Sequence, residues 1–201
     1  EKYINQIKIN NLPCDTIGIT GGEPFMNKDI IPILSLCTKL NYNILVLTNA
    51  MQPMINKIKE LIKFVDYNKL TLRVSLDHFN KEGHESIRGK NTWDKALKGI
   101  KWLSSNNFKI NIASRIINKN EKIVRNGFAK LFKEYNLTID AYNEKDLVLF
   151  PENCGFMGRG VDMLANACEE ESHPTLIASR KAAKKNNIFV LLGSIAVFSS
   201  G

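Results

Sequence analysis

Four short stretches, each closing an apolar run, hold most of the side chains able to do chemistry: TGGEP (20–24), LTNAM (47–51), VSLDH (74–78) and ASRI (113–116). Gly21 and Gly22 lack a Cβ and let backbone approach a ligand closely, while Pro24 stiffens the loop. Glu23 can accept hydrogen bonds from an ammonium group. Asn49 offers a donor and an acceptor, Ser75 a hydroxyl, Asp77 a carboxylate and Arg115 a bidentate fork for a carboxylate. Together these suit a zwitterionic or ribose-bearing ligand. Taken alone, GGEP reads equally well as an ordinary tight turn.

The elements that must position these residues follow from the apolar pattern. DTIGIT (15–20), NILVLTN (43–49), LTLRVSLD (70–77) and KINIASRI (109–116) are rich in Ile, Val, Leu and Thr and read as strands. Being apolar almost throughout, they suit parallel strands buried on both faces. Between them run helical patterns: NKDIIPILSLCTKL, then residues 54–66 with Ile55, Ile58, Leu61, Ile62 and Val65 in phase, then residues 93–105 with Trp93, Ala96, Leu97, Ile100 and Leu103. Trp93 and Trp102 read as packing residues. A repeated βα unit predicts an α/β fold with a parallel sheet, whose ligands collect at the C-terminal strand ends. All four polar stretches sit at such ends. A further helix is expected over 121–136, a loop at IDAYNEKD, and a strand at LVLF (147–150). Beyond it the texture changes to the Gly-rich PENCGFMGRG, a helix over 174–187 and a buried strand over 188–197.

Charge and cysteine usage narrow the class. The net charge is +8, with 23 Lys/Arg against 15 Asp/Glu in residues 1–150 and five of each thereafter. The basic excess reads as solvated helix faces, because no basic stripe with interleaved aromatics supports a nucleic-acid partner. No apolar run is long enough for a membrane helix and the first residues lack a secretory pattern, so a cytoplasmic location is expected. The chain opens without Met on a helical pattern, which reads as trimmed at its front. Cys14, Cys37, Cys154 and Cys168 form no C-x-x-C pair and match no zinc spacing. No metal site is expected from them, and Cys37 falls on an apolar helix face. His78 and His84 flank the loop after the third of these strands and read as solvated, with substrate contact as the alternative; His173 reads as a helix-approach cap.

GITGGEPFMNKDI, then LVLTNAM, then LRVSLDHFNKEGHESIRGKNTWDKALKGIKWL resembles the core of radical S-adenosylmethionine enzymes over roughly residues 1–138. The resemblance implies a partial parallel (β/α) barrel, truncated here at its N-terminus. It assigns the amino group of S-adenosylmethionine to the motif at Gly21, Gly22, Glu23 and Pro24. Ser75 and Arg115 match positions that hold the ribose and carboxylate, with Asn49 beside them, and Asp77 and Arg88 match positions near the active site. A four-iron cluster held by a C-x3-C-x2-C loop is expected of the family. Only Cys14 precedes GGEP, and it lies too near the strand to belong to such a loop.

A second resemblance lies in LVLFPENCGFMGRGVDMLANACEEE and PTLIASRKAAKKNNIFVLLGSIAV, which look like the opening of a nitrilase-family carbon–nitrogen hydrolase over about residues 146–201. It implies the start of an α/β sandwich with Glu152 as general base for a cysteine nucleophile, whose lysine and cysteine partners the 201 residues do not supply. The expected domains are thus 1–138 and 139–201, with 139–152 open to either. Three functions follow: a radical enzyme fragment acting on a small-molecule or peptide substrate, an amide or nitrile hydrolase fragment, or a non-catalytic fusion product. Without cluster cysteines the chain alone is expected to be inactive. Incomplete sheets imply exposed apolar edges, hence poor solubility, an oligomer or a complementing chain.

Overall fold

The computed structural model describes residues 2–116, 120–150, 172 and 174–186. The chain forms two compact units, Glu1–Leu149 and Phe150–Gly201. Up to residue 150 the order is α1 (Lys2–Ile9), β1 (Thr16–Ile19), α2 (Ile30–Lys39), β2 (Asn43–Thr48), α3 (Gln52–Ile55), α4 (Ile58–Leu61), β3 (Leu70–Ser75), α5 (Lys81–Arg88), α6 (Trp93–Ser105), β4 (Ile110–Arg115), α7 (Glu121–Glu134) and β5 (Leu147–Phe150). Short 3-10 turns follow the first strand at Pro24–Met26 and the fourth helix at Ile62–Phe64. In the second unit the described element is α8 (Pro174–Asn186), which ends on Lys184 and Lys185 and exposes Ile177.

The five strands lie side by side in chain order as a parallel sheet. Chain order is what successive βα units give when every crossover steps the same way. The sheet does not close, since β1 and β5 are not neighbours, so the architecture is an incomplete (β/α) barrel. The LVLF stretch, which opens the hydrolase-like segment, is its fifth strand.

Register separates the two faces of the sheet. Ile44, Leu70, Leu72, Val74 and Ile112 point to one side and pack with Leu34, Met54, Ile100, Leu103 and Phe128, all essentially without exposure. The opposite side carries Gly18, Leu45, Thr71, Arg73, Ser75 and Arg115, and its burial is partial along β2 and β3. Strands that read as buried on both faces are therefore fully covered on one. The other lines the interior of an open barrel. Cys37 is core, as its helical phase predicts, and burial pushes its thiol up. Trp93 is buried, and Trp102 packs on Phe108 with ring centroids 5.6 Å apart.

Four helices stop by one device. Asn11, Asn41, Asn107 and Asn136 take left-handed φ values of 47°, 61°, 59° and 51° just past α1, α2, α6 and α7. At each, the next residue's N–H reaches back five residues, as in Tyr42 to Cys37 (3.1 Å) and Leu137 to Phe132 (2.8 Å). These are Schellman ends with Asn in place of the commoner Gly. The pattern over 54–66 departs from expectation, for it is not one helix. It breaks at Asn56 and Lys57, where Lys57 leaves helical geometry (φ −111°, ψ 11°). Asn competes for its own backbone and weakens a helix interior, which the apolar phase alone does not reveal.

Candidate functional site

The polar residues expected at strand ends do gather along one edge of the sheet. After β1, Gly21 adopts φ +129°, open to glycine and closed to most other residues, and Gly21 and Gly22 are both exposed. Glu23 then caps the turn Pro24–Met26, its Oε1 accepting from the Phe25 N–H at 3.2 Å, while Pro24 and Phe25 are buried. The same carboxylate crosses to β2. Oε1 accepts from the Thr48 hydroxyl at 2.7 Å and Oε2 from the Asn49 N–H at 2.7 Å. A carboxylate accepting three hydrogen bonds is a brace, and its side chain has little capacity left for a ligand. What the motif offers a ligand is therefore the exposed backbone of Gly21 and Gly22 that Glu23 holds in place.

Asn49 lies half-buried, its Oδ1 accepting from the Met51 N–H at 2.9 Å, and its carboxamide nitrogen has no partner among the described residues. The turn continues through Ala50, which is fully buried at φ 55°. Gly99 of α6 packs directly against the Ala50 carbonyl, where a Cβ would overlap the oxygen. Thr48 and Gly99 are parts of the site's frame that no strand-end pattern singles out. A helical glycine in an otherwise apolar phase is the one sequence signal for such a close approach.

Ser75 ends β3 and Arg115 ends β4, both on the open face. Between them Asp77 is buried, with Arg88 Nε donating to Oδ2 at 2.5 Å and Arg115 Nε 3.6 Å from Oδ1. Arg115 keeps 41% of its side chain exposed, so it is anchored on one side and open on the other. The Asp77 N–H donates to His84 Nδ1 at 3.3 Å, which leaves the proton on Nε2. His84 is not a solvated loop residue but core, packed edge-on against Trp93 at 5.7 Å, because it lies on the inner face of α5. Burial pulls its pKa down, opposed by Asp77 and reinforced by Arg88. His78 is likewise pulled down by burial, stacks on Phe79 at 4.2 Å and accepts from the Asn80 N–H.

The cluster ligands fare differently. No C-x3-C-x2-C run occurs in the sequence, and among the described residues no group of His, Cys, Asp or Glu could hold a metal ion. The residues present do not fit an iron–sulfur cluster. For S-adenosylmethionine they fit, with an exposed glycine backbone, a half-free amide, a hydroxyl and an outward guanidinium on one edge. Glu152, Cys154, Cys168, His173 and the 188–197 stretch lie outside the described residues. Among the described residues no helix is long and apolar enough to cross a membrane.

An open parallel (β/α) barrel with its polar groups at the C-terminal strand ends defines a class of ligand-binding α/β proteins. Within it, this chain belongs to the Radical SAM superfamily, whose family model matches residues 1–121. It is 33% identical over 141 residues to the antilisterial bacteriocin subtilosin biosynthesis protein AlbA of Bacillus subtilis (strain 168), covering 66% of this chain and 31% of that protein. The chain thus spans about a third of the curated relative's length. In fold it is similar to Streptococcus suis SuiB bound to S-adenosylmethionine (TM-score 0.56, 14% identity, 98% of this chain and 40% of that one). SuiB bound to the precursor peptide SuiA gives a TM-score of 0.58 at 14% identity, over 98% of this chain and 41% of that one. Nothing in these comparisons supports the hydrolase resemblance.

Proposed function

We propose that this chain supplies the S-adenosylmethionine-binding edge of a radical enzyme whose substrate is a peptide. The observation that carries the reading is the Glu23 brace, which fixes the Gly21–Gly22 backbone beside Asn49, on the edge that Ser75 and Arg115 complete. In this reading the glycine-turn backbone takes the ligand's amino group, Ser75 takes the ribose, and Arg115 takes the carboxylate in a bidentate pair. Asp77 is a positioning residue that holds Arg115 by one side. When bound, S-adenosylmethionine supplies the deoxyadenosyl group used for hydrogen abstraction; the chain's own part is binding and orientation. The peptide class is supported by the relatives: AlbA is a bacteriocin biosynthesis protein, and SuiB is seen bound to a precursor peptide.

Thermal melts with S-adenosylmethionine test the reading. A ligand that binds only the native state at 100-fold excess over Kd adds about 2.7 kcal/mol. The melting temperature should rise with S-adenosylmethionine and with S-adenosylhomocysteine, less so in Arg115→Met and Ser75→Ala. No rise at millimolar ligand would refute the site. Anaerobic incubation with S-adenosylmethionine, iron, sulfide and reductant should yield no 5′-deoxyadenosine from this chain alone.

A further inference from the structure

At the other end of the strands, the same open face of the sheet holds a second polar cavity of about 620 Å³. That volume is in the range of small-ligand sites. Its walls are the strand beginnings Thr16, Leu45 and Thr71, the side chains of Arg73 and Asn111, and the connection 143–146. Two buried side-chain atoms here have no hydrogen-bond partner among the described residues: the donor Arg73 Nε and the acceptor Asn111 Oδ1. They belong to register neighbours, Arg73 on β3 and Asn111 on β4. The Asn111 amide nitrogen already donates to the Lys145 carbonyl at 2.7 Å, so the carboxamide is fixed with its oxygen unsatisfied. Buried polar groups without partners are costly, and a donor and an acceptor left open side by side point to a ligand that carries both complements.

The charges around them set the sign of that ligand. Lys69, Lys109 and Lys145 line the cavity with Arg73, against Glu144 and Asp146. Lys69 is committed to Asn41, and the Asp146 carboxylate accepts from the Asp140 N–H. The four ion pairs among the described residues leave Arg73 out. Burial also weighs on its charge, which an anionic partner would relieve.

We infer that this cavity is a second binding site, one that takes a peptide carboxylate: Arg73 donates to the carboxylate, and Asn111 Oδ1 accepts from a backbone N–H of the same peptide. A simple acceptor-only anion such as sulfate would satisfy Arg73 and leave Asn111 open. Arg73 and Ser75 share a face two residues apart, roughly 7 Å along the strand. An acidic residue anchored at Arg73 would therefore hold the neighbouring stretch of peptide under the strand-end site. The ligand class rests on the peptide-substrate reading above; the cavity and its open groups do not.

The test is fluorescence anisotropy on the 201-residue protein with fluorescein-labelled Gly-Gly-Glu-Gly-Gly amide and its Gln counterpart, with melts in S-adenosylmethionine run beside it. The Glu peptide should bind about tenfold more tightly than the Gln peptide, the size of one charge-assisted hydrogen bond. Arg73→Met should abolish the discrimination. Arg73→Met removes a buried donor that has no partner among the described residues, so its melting temperature should not fall, which separates loss of binding from loss of fold. Equal binding of both peptides, discrimination that survives Arg73→Met, or inorganic sulfate competing as well as the Glu peptide would each overturn the inference. Discrimination without a response to S-adenosylmethionine would refute the proposed function alone; the converse would refute only this second site.

Discussion

Glu23 does at residue scale what the whole motif is needed for. Its two oxygens join three donors from two segments, the Phe25 N–H, the Thr48 hydroxyl and the Asn49 N–H. Glu23→Gln replaces one acceptor oxygen with a donor that faces a donor, so a backbone N–H or a hydroxyl loses its partner. The expected loss is about 1–3 kcal/mol of stability in urea unfolding. The response to S-adenosylmethionine should fall with it, since the glycine turn loses its tie to β2. A variant as stable as the parent would show the brace to be idle.

His84 gives a pH dependence whose sign follows from its burial. Its folded pKa is lowered, first by desolvation, whereas the unfolded chain titrates near the ordinary value of about 6.5. The unfolded state therefore takes up a proton first as pH falls. The native advantage is full above about 6.5 and is lost as pH drops from there through the folded value. His84→Phe keeps an aromatic against Trp93 and removes the proton site. The drop in melting temperature between pH 7.5 and 5.5 should shrink in that variant, and His78, shifted the same way, should account for part of what remains. An unchanged slope would place the titrating groups elsewhere.

At element scale, α6 is the surface against which the Asn49–Ala50 turn is moulded. Gly99→Ala would gain helix propensity of about 1 kcal/mol, but its Cβ overlaps the Ala50 carbonyl, and backbone cannot move aside as a side-chain tip can. Overpacking of this kind costs about 1–3 kcal/mol, so a net loss is expected in denaturant melts, together with weaker S-adenosylmethionine binding. Much of this frame was legible from residue types. The strands showed as apolar runs, and Asn49, Ser75 and Arg115 showed as polar residues closing them. Thr48, Gly99 and His84 did not, because what gives each its role is a partner 15 or more residues away or a neighbouring helix. The 54–66 segment misled for the opposite reason: its apolar phase persists across a break that the local chemistry of Asn56 and Lys57 decides.

At the scale of the molecule, the question is where the unit that carries the site ends. The resemblance alone stops near residue 138, yet three ties bind the next segment to what precedes it. The Ile112 N–H donates to the Asp146 carbonyl at 2.7 Å, Asn111 to the Lys145 carbonyl at 2.7 Å, and Arg125 to the Ala141 carbonyl at 2.6 Å. Ile139, Ala141 and Leu147 are also core residues. Fully burying an aliphatic side chain contributes about 1.5–3 kcal/mol, so removing 139–150 withdraws several kcal/mol and exposes the β4 edge. A chain shortened to residues 1–150 should melt cooperatively near the temperature of the full chain and keep its response to S-adenosylmethionine. One shortened to 1–138 should melt well below it or lose cooperativity. If the two behave alike, the fifth strand contributes nothing to the unit, and the boundary belongs where the resemblance alone would draw it.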